Sequence, residues 1–568
     1  MKKTIRTVAV LLCMVLLLGA CANTTTTTTT TAPASATTQP SADSTETAAP
    51  SEGTEATAIP EEDTGNFNPT GYPIVKEKIT LTGFGNQNVT HKDWSEVWCF
   101  TSYEEISNIH IEWETAPNSG FAEAKSILLA SGDYPDIFYR CNLSVSELVQ
   151  YGEMGVFAVL NDYIDQYATN LLAVFEIETS ARRELTMADG NIYSMPMISG
   201  STASSSGRGW INARWLENVG MEVPTTIDEM EEVLTAFKEQ DANGNGDPSD
   251  ELVYSDRQSG NTLLQWTRPT FGMGNLGATA ADDYHVDSAV DGELRFFANT
   301  DDYKAQLTWI SGLYAAGLID KEIFSQDITT FTSKGAQDLI GSFWQNDNPQ
   351  IIGALKDEFV FMQPLKNVDD GLVYCYNRKA VVTPGVFAVN ASSDYIREAV
   401  RWCDYWYGED GQIRIRIGLE GVTYEVEEDG SFKCTDYVMN NPDGLTAAQA
   451  IGQYALGFAG GGCPEYVTTR IEVARLPAVA FEAADIERTF PVQLKNLVAL
   501  RFTPEEQDEL NALLTDITTY VSESAVSFIT GSMSLENDWQ TYCETLEQMG
   551  LEHYMQILNA AYDRWLAL

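Results

Sequence analysis

Residues 22–66 contain almost nothing that can be buried. They are Thr, Ser, Ala, Pro and Glu with few exceptions, and Thr24 to Thr31 is an unbroken run of threonine. A segment without apolar side chains cannot offset the entropy of ordering itself. Any fold is therefore confined to residues 67 to 568, which hold no second low-complexity stretch and no obvious internal repeat. Apolar residues make up 44% of the chain, enough for large cores, and the length gives a prior of about three or four domain-sized units.

The N-terminus accounts for the unfoldable stretch. Lys2, Lys3 and Arg6 form a positive start, and Val8 to Leu18 is an apolar run. The run is too short to span a bilayer, which takes about 20 residues, and it reads as a signal peptide over 1–20. It ends in Leu18-Gly19-Ala20-Cys21, which resembles a bacterial lipobox. The resemblance implies that the Cys21 thiol receives diacylglycerol and becomes the first mature residue. Residues 21–66 are then a lipidated cysteine and a flexible tether, with an r.m.s. span of roughly 35–40 Å. The expectation is a soluble body on the extracellular face of the cell membrane, held there by lipid alone.

Charge excludes two classes of partner. Asp plus Glu number 82 against 34 Lys plus Arg, for a formal charge of −48, and loss of the leader's three cations makes it more negative still. Nucleic acid needs stripes of Lys and Arg, and so does a body lying on anionic lipid. After Cys13 and Cys21 are set aside, seven cysteines remain: Cys99, Cys141, Cys375, Cys403, Cys434, Cys463 and Cys543. No two are spaced C-x-x-C, so neither a zinc ribbon nor a thioredoxin site is read here. They read as buried and mostly free.

Catalytic signatures are missing. His91, His110, His285 and His553 form no H-E-x-x-H, and there is no G-x-S-x-G and no Walker loop. His110-Ile111-Glu112 lacks the P-C-x-x-C that a zinc deaminase needs. Gly272-Met273-Gly274-Asn275-Leu276-Gly277 matches a dinucleotide pattern, but Pro269 stands where a central strand should run, so it reads as a loop.

Short apolar runs alternate with amphipathic segments, which predicts an α/β body. Strands are read at 78–83, 109–113 and 134–139, with a helix over 121–130 between the last two. Thr226-Ile227-Asp228-Glu229 is a capping box that opens another helix. Directly after that helix comes Asp241-Ala242-Asn243-Gly244-Asn245-Gly246-Asp247, and then Asp250-Glu251. Oxygen side chains at the first, third and fifth places, then a glycine for the turn, suit calcium. Asp247 would give its backbone carbonyl, while Asp250 and Glu251 would close the shell. The EF-hand places its bidentate Glu at place twelve, which here is Leu252. The alternative is an acidic turn without an ion. A structural calcium held by Asp241, Asn243, Asn245, Asp247, Asp250 and Glu251 is expected.

Several strings share one resemblance: 68–75 (NPTGYPIV), 108–113 (NIHIEW), 129–138 (LASGDYPDIF), 189–193 (DGNIY), 210–215 (WINARW), 237–246 (FKEQDANGNG), 411–416 (GQIRIR), 421–424 (GVTY) and 528–531 (FITG). In this order the chain resembles the extracellular solute-binding proteins of family 1, the lipoprotein type of Gram-positive bacteria. The resemblance implies a two-lobed, periplasmic-binding-protein-like (type II) fold over 67–568, each lobe a sheet flanked by helices, with extra C-terminal helices. It implies capture of a solute, usually a carbohydrate or oligosaccharide, in the interlobe cleft and delivery to the permease of an ABC importer. The lobes read as roughly 67–190 plus 355–410 and 191–354 plus 411–568. A monomer without enzymatic activity is expected.

Sugars present an apolar ring face and a rim of hydroxyls, so aromatic and polar side chains in loops are the candidates. They are Trp94, Asp133, Tyr139, Arg208, Trp210, Trp266, Arg268, Trp344 and Gln345; core packing is the competing reading for each. Two other functions compete. One is a membrane-anchored glycoside hydrolase or lyase, which would need two cleft carboxylates at glycosidase separation. The other is a surface sensor or adhesin on the same fold.

Overall fold

The computed structural model describes residues 65–567, except 202–207, 257–260, 275–283, 289–291, 346–348, 368–373, 377–380, 459–460, 475, 477, 491, 495–496 and 498–499. The leader, Cys21 and nearly all of the tether lie outside the described residues.

The first strands follow the expected order. β1 (Ile79–Gln87), β2 (Ile109–Pro117) and β3 (Ile137–Tyr139) are parallel, and the helices Trp98–Ser107 and Phe121–Ser131 connect them. β3 is buried along its whole length, as befits a central strand covered on both faces. β4 (Met195–Ser199) follows. β5 (Arg208–Asn212), β6 (Val286–Asp287), β7 (Arg295–Phe296), β8 (Ser342–Gln345) and β9 (Phe359–Met362) come next. Then come β10 (Tyr374–Tyr376), β11 (Val381–Val389), β12 (Tyr424–Val426), β13 (Phe432–Cys434), β14 (Glu465–Val467) and β15 (Val492–Leu494).

Two sheets define two lobes. The first has the order β14-β4-β11-β3-β1-β2, and the second the order β8-β5-β9. The first sheet is covered on one side by a core that includes Leu81, Trp94, Tyr139, Trp402 and Cys463. On the other side lie Phe84, Phe138, Leu148 and Ala388. The second lobe has its own core, in which Trp215, Phe237, Tyr254 and Trp344 meet the C-terminal helices Pro504–Thr530, Trp539–Gln548 and Leu551–Ala567. Among the described residues, no helix is long and apolar enough to cross a membrane.

The lobe boundaries differ from the expected ones. β4 belongs to the first sheet, so the first segment runs past 190. β9 pairs with β5, which keeps 359–362 in the second lobe. The stretch 411–467 returns to the first lobe, because β14 pairs with β4 and Ile415, Leu456 and Cys463 enter its core. The chain thus passes between lobes after β4, between β9 and β11, and again after β14. A short parallel ladder, Tyr374–Tyr376 on Val492–Leu494, ties the last two passages together.

The start of the described chain is clasped to the first lobe. Phe67 is 1% exposed and meets Tyr167 edge-on at 5.3 Å, while the Arg397 guanidinium covers its ring at 4.7 Å. Arg401 donates to the carbonyls of Asn68 and Gly71.

Candidate functional site between the lobes

In an open α/β sheet, ligands bind outside the carboxyl ends of the strands, where strand order reverses. Here β2 lies on one side of β1 and β3 on the other, so the reversal falls between β1 and β3. Strands β1, β2, β3, β4 and β14 all point their carboxyl ends the same way. β4 and β14 lead from that end into passages to the second lobe. The reversal therefore faces the space between lobes.

Two residues stand at it. Gly85 on β1 is paired with Tyr139 on β3, so Asn86 and Arg140 are the next residues out on adjacent strands. Arg140 is 4% exposed and its backbone is left-handed, with φ of 54°. The neighbouring chain over-determines that conformation. Arg140 N donates to Val386 O at 2.7 Å and Leu143 N to Gly385 O at 2.9 Å. Gly385 has φ of 71°, and a Cβ there would sit 2.0 Å from Leu143 O. Strain held this firmly clusters at functional sites. The guanidinium donates from Nε to Gly461 O at 2.8 Å and from Nη1 to Asn86 O at 2.9 Å. It thereby joins β1, β3 and the glycine loop before β14. Asn142 (φ of 44°) lies against Gly462 in the same loop.

Behind this floor is a buried charge cluster. Arg416 bonds Glu465 at 3.1 Å and Glu472 at 2.9 Å. Burial raises the Glu465 carboxyl above its ordinary range, against the pull of Arg416. Elsewhere both lobes border a crevice of about 670 Å³, lined by Val149, Gln150 and Met154 on one side and Phe502, Gln507 and Asn511 on the other.

The structure places the sequence candidates as follows. Trp94 is 1% exposed and meets Trp113, Tyr139 and Phe100 edge-on inside the first core. Tyr139 is fully buried beside it. Asp133 is exposed but precedes β3, at the sheet end away from the reversal. Arg208 is buried and holds Glu487 through Nε at 3.1 Å and Nη2 at 2.8 Å. Trp210 is buried on β5, and Trp344 on β8. Trp266 stacks on Tyr254 and closes over Gly209. Arg268 covers the Phe297 ring at 4.4 Å. Gln345 ends β8 opposite Arg208, and its side chain lies outside the described residues. Asn86 and Arg140, at the strand-order reversal, are not among the sequence candidates. The available signal is a cation immediately after the buried run Ile137-Phe138-Tyr139.

The loop 241–251 folds around its own oxygens. Asp241 Oδ2 accepts from Gly246 N at 2.9 Å, and Asn245 Oδ1 accepts from Asp247 N at 2.7 Å. The amides of Asn243 and Asn245 each donate to one oxygen of Asp250. Asp241 Oδ1 and Glu251 Oε2 are buried without a partner, and burial raises the Glu251 carboxyl. Among the described residues no trio of His, Cys, Asp or Glu converges as around an ion; half of the expected donor set is amide or backbone oxygen. Two buried carboxylate oxygens without donors, beside amide oxygens, fit a hard cation.

The sequence pattern of the bacterial extracellular solute-binding proteins matches residues 89–413, more than half of the chain. The chain belongs to that family. It is 25% identical over 508 residues to the fructooligosaccharide ABC transporter substrate-binding protein FusA of Streptococcus pneumoniae, covering 87% of this chain and 92% of FusA. A solved structure of the S. pneumoniae FusA EF-hand mutant with fructo-nystose is similar, with a TM-score of 0.68 and 24% identity over 86% of this chain and all of that one. An extracellular solute-binding protein from Bifidobacterium longum subsp. infantis gives a TM-score of 0.71 at 22% identity, covering 86% and 98%. These neighbours are two-lobed solute-binding proteins, and the fold of this chain is of that kind.

Proposed function

We propose that this chain is the substrate-binding component of an ABC importer, taking a carbohydrate or oligosaccharide between its lobes and handing it to a membrane permease. The observation that carries the reading is the strand-order reversal at β1 and β3. It faces the second lobe and sets the Arg140 guanidinium, a donor, beside the unpartnered amide oxygen of Asn86, an acceptor, a pairing suited to sugar hydroxyls. Supporting it are the similarity to a fructooligosaccharide-binding relative along nearly its whole length and the transport, rather than enzymatic, role that relative is named for. Closure of the lobes on the ligand is the hinge motion of two-lobed periplasmic binding proteins.

Three further parts belong to the reading. Cys21 carries the lipid, and the body works as a monomer on the extracellular face of the cell membrane. Asp241, Asn243, Asn245, Asp247, Asp250 and Glu251 hold a structural calcium, supported by the unpartnered oxygens of Asp241 and Glu251. When bound, the ion would neutralise those carboxylates; it takes no part in capture of the solute.

Isothermal calorimetry of the protein with a panel of neutral and acidic oligosaccharides tests the central claim. Saturable binding of at least one member without its cleavage is expected. If no oligosaccharide binds, or if the sugar is hydrolysed, the reading fails.

A further inference from the structure

The crevice between the lobes takes its walls from both of them. Its volume of about 670 Å³ falls within the range of small-molecule sites. One wall is the helix Val145–Glu153 of the first lobe, which begins where Cys141-Asn142-Leu143-Ser144 leads on from Arg140. The other is the start of the helix Pro504–Thr530 in the second lobe. Both helix starts are fixed in advance. Ser144 and Glu147 form a capping box, and Lys125 Nζ holds Glu147 at 2.7 Å. Thr503 and Glu506 form another, and Arg564 holds Glu506 at 2.5 Å. Between these walls the lining mixes apolar and neutral polar groups. Val145, Val149, Met154 and Pro504 supply the apolar part. Ser146, Gln150, Gln507 and Asn511 supply hydroxyl and amide groups, and Gln507 Nε2 donates to Asn511 Oδ1 at 2.9 Å, which orients both amides. Glu153 and Asp508 add one carboxylate from each lobe. The side chains of Gln150, Glu153 and Asp508 are exposed and make no hydrogen bond to any described residue. Among the described residues, no Lys, Arg or His lines the crevice.

We propose that this crevice holds the trailing units of an oligosaccharide whose leading unit sits at the strand-order reversal, so that the solute is a neutral oligosaccharide rather than a monosaccharide or a uronate. The inference rests on the carbohydrate reading and adds the length and charge of the solute to it. Sugar rings carry CH faces and a rim of hydroxyls. The faces suit the two valines, Met154 and Pro504; the hydroxyls suit amides, which donate and accept, and carboxylates, which accept. An acidic unit would meet Glu153 and Asp508 with no cation in the lining to offset them, and like charges brought together are costly. An occupant here bonds both lobes at once and so holds them together. Walls already set by capping boxes and ion pairs need little ordering when the sugar arrives.

The test is calorimetry on the intact chain with linear glucose, galactose, mannose and fructose oligosaccharides, each as disaccharide and tetrasaccharide, and with a galacturonate tetrasaccharide as the acidic control. For at least one neutral series the tetrasaccharide is expected to bind about tenfold or more tighter than the disaccharide, and tighter than the acidic control. Gln150→Ala and Asn511→Ala, both at exposed positions, are expected to bring the ratio of tetrasaccharide to disaccharide affinity down toward unity. Melting curves for each variant establish that it is folded. Equal binding of short and long sugars, or tighter binding of the acidic control, would overturn the crevice subsite while leaving carbohydrate capture intact. So would an unchanged ratio in both folded variants, the result for a gap that only narrows as the lobes close. Failure of every sugar to bind would remove both.

Discussion

Single residues separate roles that composition cannot. Loop aromatics look alike in sequence whether they meet a sugar or a core. Trp210 reads as the end of a Ser/Gly-rich loop, but β5 already begins at Arg208, so the ring is inside. Trp210→Ala is therefore expected to cost about 3–5 kcal/mol of stability, measured by denaturant unfolding, with sugar affinity of the folded protein unchanged. Asp404 is legible only in three dimensions. It accepts from the backbone of Asn170 and Leu171 at 3.1 and 2.8 Å, at the start of the helix Thr169–Ile177. Burial nevertheless raises its carboxyl from 3.8 to about 6. Between those values the folded protein binds a proton that the unfolded chain releases, so this residue stabilises the fold below about pH 4 and the benefit is lost as pH rises through 6. The swing is about 3 kcal/mol. Asp404→Asn should flatten the melting temperature across that window, and an undiminished slope in the variant would assign it to other groups.

At the scale of elements, the opening of the body is readable because local signals suffice there. β1, β2, β3 and the helix Phe121–Ser131 appear where periodicity places them, and Thr226 forms the capping box that its sequence announces. The return of 411–467 to the first lobe is not readable, since β14 meets β4 across a long sequence separation that no local pattern encodes. The same holds for Gly385, whose need for glycine lies in the carbonyl of Leu143. Gly385→Ala combines a left-handed backbone with that clash, and a loss of at least about 2 kcal/mol is expected in unfolding experiments. For the loop 241–251 the oxygen-rich pattern is legible from its spacing, while the orphaned oxygens of Asp241 and Glu251 emerge only once the loop is folded. Calcium should raise the melting temperature by several degrees, and Asp241→Ala should remove the increment. A melt indifferent to chelator would leave the loop as an acidic turn.

At the scale of the whole molecule, the proposed lipid attachment at Cys21 is testable apart from the body. Replacing Cys21 by Ser is expected to move the protein from the membrane fraction to the medium of its host while leaving sugar affinity unaltered, as fractionation and calorimetry would show. Retention in the membrane would point to another attachment. The clasp at Phe67, Arg397 and Arg401 has a mechanical side. Because the described chain begins against the first lobe, a pull applied at residue 65 would load that lobe and bypass the ladder Tyr374–Tyr376 on Val492–Leu494. Such a force would turn the two-sheet body as one piece and leave the spacing of its lobes unstrained.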